Sequence, residues 1–210
     1  MKISDFNEMN SFYLDIFKEI GNIGGGNAAT ALANLINKKV TMDVPNVKIM
    51  EFKEVSELLE SAEKLVVGVL IKVLGDLPGY IMFIMEYKTA KILVNTIMLP
   101  VEKQENDLRK FTNIEISALK EVGNILAGSY LTALSTMTGL KVQTSVPGIA
   151  IDMAGAILGV PAIEFGKLCD TVLYIETGFS EGTTKIKGDF ILIPALESYG
   201  ILLKALGVGD

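Results

Sequence analysis

Glu19 and Asn22 stand three residues apart, and Glu121 and Asn124 repeat the spacing. A carboxylate accepts hydrogen bonds and pairs with cations. An asparagine amide carries donors and an acceptor on one short group. On a helix, positions i, i+4, i+7 and i+11 share a face. That face reads Asp15, Glu19, Asn22, Gly26 in the first stretch and Ser117, Glu121, Asn124, Gly128 in the second. The other faces carry Ile16, Phe17, Ile20, Ile23 and Leu32, then Ile116, Leu119, Val122, Ile125 and Leu134. These are expected to face a core, which turns both polar stripes outward.

A lone Glu on an amphipathic helix is ordinary surface solvation. Asparagine is less easily dismissed, because its amide competes for backbone hydrogen bonds and disfavours helix interiors. Each glycine costs about 1 kcal/mol relative to alanine. Two readings of the glycines are compatible: Gly21 and Gly123 permit close packing, while Gly26 and Gly128 clear space beside the asparagines. The run Gly24-Gly25-Gly26 does not make a phosphate loop. It interrupts a helical pattern instead of following a strand, lacks the Walker lysine, and becomes Leu126-Ala127-Gly128 in the second stretch.

The inventory narrows the chemistry. There is no histidine, so Ser-His, Cys-His and His-metal arrangements are excluded, and one cysteine, Cys169, cannot make a thiolate zinc site or an internal disulfide. A net charge of −6 without a basic run excludes the usual footprint of a nucleic-acid binder. Half the residues are hydrophobic, yet no stretch approaches the roughly 18 uninterrupted apolar residues of a spanning helix. The longest, 65–71 and 80–85, are of strand length. The first residues, MKISDFNEMN, lack a signal-peptide pattern. No membrane insertion is expected, and a cytoplasmic location is.

The two stretches belong to a duplication. At an offset of 102 residues, 15–45 lies on 117–147 without a gap, and 13 of 31 positions are identical, where chance gives about two. Each half is expected to begin with a long helix, over 15–35 and 117–137. A short strand follows, over 40–44 and 142–146, stopped by Pro45 and Pro147. A shorter helix is expected over 55–63 and over 153–158. A hairpin follows, 65–73 with 79–85 and 171–177 with 189–194, the second with a looser loop over 178–188. Closing helices are expected over 88–98 and 196–206. Three strands cannot close a core alone. The expectation is therefore one α+β domain over 1–210, with internal pseudo-two-fold symmetry. It is built of two three-stranded repeats (about 10–99 and 112–207) sharing a sheet and core, with long helices packed on it and a polar linker near 100–111.

The stretches DIFKEIGN at 15–22 and SALKEVGN at 117–124 resemble the signature of the CheC/CheX/FliY phosphatases of bacterial and archaeal chemotaxis. The surrounding EIGNIGGGNAATALANLINKKV and VPNV, and the presence of two motifs, look most like the CheC branch; ending at Asp210 without a flagellar-switch domain argues against full-length FliY. The resemblance covers nearly the whole chain. It implies hydrolysis of the aspartyl phosphate on a CheY-type response regulator. Asn22 and Asn124 would orient the attacking water, and Glu19 and Glu121 would pair with the regulator's lysine. Asp15 and Ser117 fill a variable position and would only support. No cofactor of its own is implied, since the regulator supplies Mg²⁺.

The resemblance also implies a deamidase partner, CheD, whose contact would fall in GIAIDMAGAIL at 148–158, with Asp152 the best candidate. Asp152 equally reads as the N-cap of a helix starting near Met153. The duplication gives one chain the two-fold arrangement that a CheX-like dimer makes from two, so a monomer is expected. Two other functions fit the same residues: a non-catalytic adaptor binding regulator or CheD, and a FliY-like flagellar-switch component. Tyr130, which replaces Ala28, either narrows the approach to Asn124 or packs.

Overall fold

The computed structural model describes residues 11–51, 54–55, 57, 61–98, 110–164, 171–195 and 197–207. The elements, in chain order, are α1 (Ser11–Ile36), β1 (Thr41–Met42), β2 (Asn46–Glu51), β3 (Leu65–Gly75), β4 (Gly79–Glu86) and α2 (Tyr87–Ile97). The second half repeats them as α3 (Asn113–Thr138), β5 (Val142–Thr144), β6 (Gly148–Met153), α4 (Ala154–Glu164), β7 (Thr171–Glu181), β8 (Thr184–Pro194) and α5 (Ser198–Ala205).

The strands form one eight-stranded antiparallel sheet. Its path runs β1-β7-β8-β4-β3-β5, with β2 also on β7 and β6 also on β3. The halves meet edge to edge through β4 and β8, from Gly79↔Pro194 to Ile84↔Asp189. They also exchange strands: β2 of the first half pairs with β7, and β6 of the second pairs with β3. Each long helix is thereby tied, through its following strands, to the hairpin of the other half.

The larger core lies between the helices and one sheet face, with Phe17, Leu32, Leu119, Leu126 and Phe190 buried in it. The opposite face carries a second cluster that includes Met82, Ile84, Ile157 and Ile191. Both faces of β4 are therefore buried, which is why it reads as an unbroken apolar run.

Four strands per half, where three are expected from the sequence, arise because Pro45 and Pro147 divide rather than end the extended segment: β2 and β6 begin directly after them. The expected loop over 178–188 is mostly strand. Gly178↔Lys187 through Glu181↔Thr184 continue the ladder, leaving the turn Gly182–Thr183 with Gly182 at φ 55°. The apolar face that holds this extension consists of Phe179 and Ile186, both buried and hidden among glycine, lysine and threonine.

The helix expected over 153–158 starts at Ala154 and runs to Glu164. Of the helix expected over 55–63, positions 56 and 58–60 lie outside the described residues. Glu54, Val55 and Glu57 are helical, and 61–63 are not. Most of the expected linker also lies outside the described residues. No described helix is long and apolar enough to cross a membrane.

Candidate functional site

Both long helices run 26 residues. The second starts in a reciprocal cap: the Glu115 amide donates to Thr112 Oγ1 at 3.3 Å, and the Thr112 amide donates to Glu115 Oε2 at 2.6 Å. It stops at Gly139, in the left-handed region at φ 73°. The first turns out of helix at Asn37, φ 51°.

The polar stripes face outward. Asp15, Glu19, Asn22 and Gly26 are exposed, as are Ser117 and Glu121, while Asn124 and Gly128 are half-buried. Asp15 pairs with Lys18 at 3.1 Å, both exposed. Ser117 Oγ donates to the Asn113 carbonyl at 3.0 Å. Among the described residues the side chains of Glu19, Asn22, Glu121 and Asn124 have no hydrogen-bond or ion-pair partner. The flanking Asp15 and Ser117 spend their polar groups locally, and the Glu and Asn do not.

The glycines divide as their surroundings require. A β-carbon on Gly21 would stand 3.2 Å from Pro45 Cγ and from Val47 Cγ2, one on Gly25 would collide with Met42, and one on Gly123 would be 2.6 Å from Val69 Cγ1. These positions let helix and sheet approach closely. A β-carbon on Gly26 or Gly128 would meet nothing within 4 Å. The last glycine of each stripe thus serves no packing among the described residues and leaves room on the asparagine side.

Tyr130 packs. It is 3% exposed and stacks on Phe190 at 4.4 Å between centroids, so it takes no part in the surface around Asn124. Ile23 departs from the expected pattern: it is 38% exposed beside Asn22, whereas Ile16 and Ile125 are packed against the core.

Asp152 lies in β6, opposite Val66, and is exposed. It does not cap the following helix. Among the described residues its carboxylate accepts from the Met153 amide alone, at 2.8 Å. The first amides of α4, Ala154 and Gly155, donate instead to the carbonyls of Lys64 and Ala62. A carboxylate one position further on would be needed for capping.

A concavity of about 400 Å³ lined by Lys48, Tyr174, Lys187 and Asp189 lies on the other face of the sheet, away from both stripes. Among the described residues no group of three or more histidine, cysteine or acidic side chains is placed to hold a metal. The stripes therefore offer paired acceptors and amides on convex helix faces, a geometry that suits a macromolecular partner better than a small ligand.

Comparison with known proteins agrees with this repeat. The model of the CheC-like family matches residues 12–49 and 114–151, one segment in each half. The chain is 33% identical over 207 residues to the CheY-P phosphatase CheC of Bacillus subtilis (strain 168), covering 98% of this chain and 99% of that protein. It is 26% identical over 150 residues to the flagellar motor switch phosphatase FliY of the same organism, covering 71% of this chain and 38% of FliY. The crystal structure of Thermotoga maritima FliY has the same fold: TM-score 0.73, 22% identity, covering 95% of this chain and 98% of that one.

Proposed function

This chain belongs to the CheC-like family, and from that premise we propose that it hydrolyses the aspartyl phosphate of a CheY-type response regulator. The observation that carries the proposal is the repeated Glu–Asn pair. Each is exposed or half-exposed on a helix face, without an internal partner among the described residues.

An acyl phosphate is intrinsically reactive. The regulator brings its own carboxylates, lysine and Mg²⁺, so the phosphatase has only to place a water in line with the scissile P–O bond. Asn22 or Asn124 holds that water through its amide. Attack on phosphorus breaks the bond to the aspartate oxygen, and the products are inorganic phosphate and the free aspartate carboxylate. Glu19 or Glu121 pairs with the regulator's lysine and fixes the register in which the amide arrives. Gly26 and Gly128, lacking a side chain, leave the regulator's loops room to approach. Asp152, exposed and relieved of capping, is available for a second protein partner such as a deamidase of the CheD type.

The test is the lifetime of a phosphorylated CheY-type regulator in Mg²⁺, alone and with this protein. Asn22→Ala, Asn124→Ala and the double variant are compared with the wild type. The wild type is expected to shorten the lifetime, each single variant to lose part of the effect, and the double variant to bind without accelerating decay. Binding with no acceleration by the wild type would make the chain an adaptor.

A further inference from the structure

Beside each polar stripe the fold leaves an apolar side chain in water. Val44 and Val146 are each 87% exposed. They hold the same position in the two repeats, each followed by a proline. Both lie in the break between two strands, β1 and β2 in the first half, β5 and β6 in the second. A single exposed valine on a protein surface needs no explanation. Two that coincide in residue type, repeat position and exposure do, because most positions of the repeat have diverged. Neither side chain can add much to internal packing at that exposure.

Their location supplies the reason. Pro45 and Val47 press on Gly21, the residue before Asn22, so the Val44 loop runs alongside the first stripe. In the second half Gly123, the residue before Asn124, faces Val69. Val69 pairs across the ladder with Ile149, two residues past Pro147. The Val146 loop therefore runs alongside the second stripe. Other apolar groups border the same surfaces. Ile23 is 38% exposed next to Asn22, and Ile114 is 68% exposed seven residues before Glu121, on the same helix face.

We infer that Val44 and Val146 are docking residues for the phosphorylated regulator, each covering apolar surface beside the regulator's phosphorylation site when the neighbouring Glu–Asn pair engages. The inference rests on the proposed phosphatase reading and adds a part to it. One Glu–Lys pair at a solvent-exposed contact is weak and screened by salt. An apolar contact at its margin excludes water and fixes the angle of approach. The following proline limits the backbone of each loop, so little freedom is lost when the valine is covered. These are positioning residues, since they touch neither the water nor the phosphorus.

The experiment uses the full chain carrying Val44→Asp and Val146→Asp together, with the double alanine variant as the milder change. Three quantities are read: affinity for the beryllofluoride–Mg²⁺ form of a CheY-type regulator, kcat and KM for dephosphorylation, and the thermal midpoint. The aspartates are expected to raise Kd and KM by about tenfold or more, and the alanines by a few-fold, in keeping with loss of a buried valine contact. The saturated rate and the thermal midpoint should stay at wild-type values, since the side chains are exposed. Unchanged Kd and KM in a protein whose wild type binds and hydrolyses would overturn the docking role and leave the phosphatase standing. A fall in kcat at constant KM would also overturn it. A wild type that neither binds nor hydrolyses would remove the phosphatase reading, and the docking role with it.

Discussion

Gly24 faces Tyr130 so closely that a β-carbon at position 24 would lie 2.9 Å from the Tyr130 Cα and 2.7 Å from its ring. The two long helices touch here backbone to backbone. The equivalent positions carry the bulk in the opposite sense: Leu126 stands where the first half has Gly24, and Ala28 where the second has Tyr130, all of them buried. The duplicated helices have diverged by moving volume from one side of their contact to the other.

Gly24→Ala should therefore destabilise by about 1–3 kcal/mol through overpacking, because backbone and a stacked ring cannot both retreat. Gly26→Ala, two residues on, meets nothing and should stabilise the helix by up to about 1 kcal/mol. Urea unfolding of the two variants checks the pair. Equal effects would mean that helix propensity alone governs both glycines.

The same contrast shows how much the sequence could tell. Helix period and repeat located both stripes, because amphipathic spacing is local and two copies report it independently. Ile23 misled for a physical reason: at the edge of an apolar face, periodicity does not separate packed from exposed, and 38% exposure lies at that edge. The second hairpin also read poorly. Its core-facing Phe179 and Ile186 are diluted by glycine, lysine and threonine, and partner strands supply the rest of its burial. Strand exchange between the halves leaves no local trace at all. It is a long-range pairing, as in Met50↔Val172.

Glu19 and Glu121 should act on association and not on the rate of the bound complex. With both changed to lysine, KM for the phosphorylated regulator should rise about tenfold or more, since an attraction becomes a repulsion. The saturated rate should hold within a few-fold, because the asparagines remain. Stopped-flow dephosphorylation at two salt concentrations checks this. A loss confined to kcat would move the glutamates into the chemical step.

Glu115 should tie stability to pH. It is buried against Lys91, whose Nζ lies 3.2 Å from Oε1 and 4.1 Å above the Phe111 ring. Burial raises its pKa. The Thr112 amide, the Lys91 hydrogen bond and charge, and the Thr112 hydroxyl outweigh burial and hold it below 4.5. A depressed carboxylate favours the folded state above its unfolded value, and the advantage fades as pH falls through the folded value. Glu115→Ala should cost about 3 kcal/mol near neutral pH by stranding the lysine and opening the helix cap. The gap to wild type should narrow below about pH 4.5 in urea unfolding. A pH-independent gap would make the residue a packing element only.

Asp189 should do the opposite. Tyr174 donates its hydroxyl to Asp189 Oδ1 at 2.5 Å, but burial dominates and, with Glu176 nearby, raises the carboxyl above 3.8; the Tyr174 bond and the charges of Lys187 and Lys64 offset only part of this. The tyrosine is shifted up as well, chiefly by burial and then by its bond to Asp189. A raised carboxyl binds its proton more readily folded than unfolded. Its contribution is thus fully present below the unfolded value and is lost as pH rises through the folded one. Asp189→Asn keeps an oxygen for the tyrosine and carries no charge. It should unfold at higher urea than wild type near neutral pH, with the difference disappearing in acid. A variant less stable than wild type at neutral pH would mean that the ionised carboxylate, held by Tyr174 and the two lysines, is the form the fold prefers.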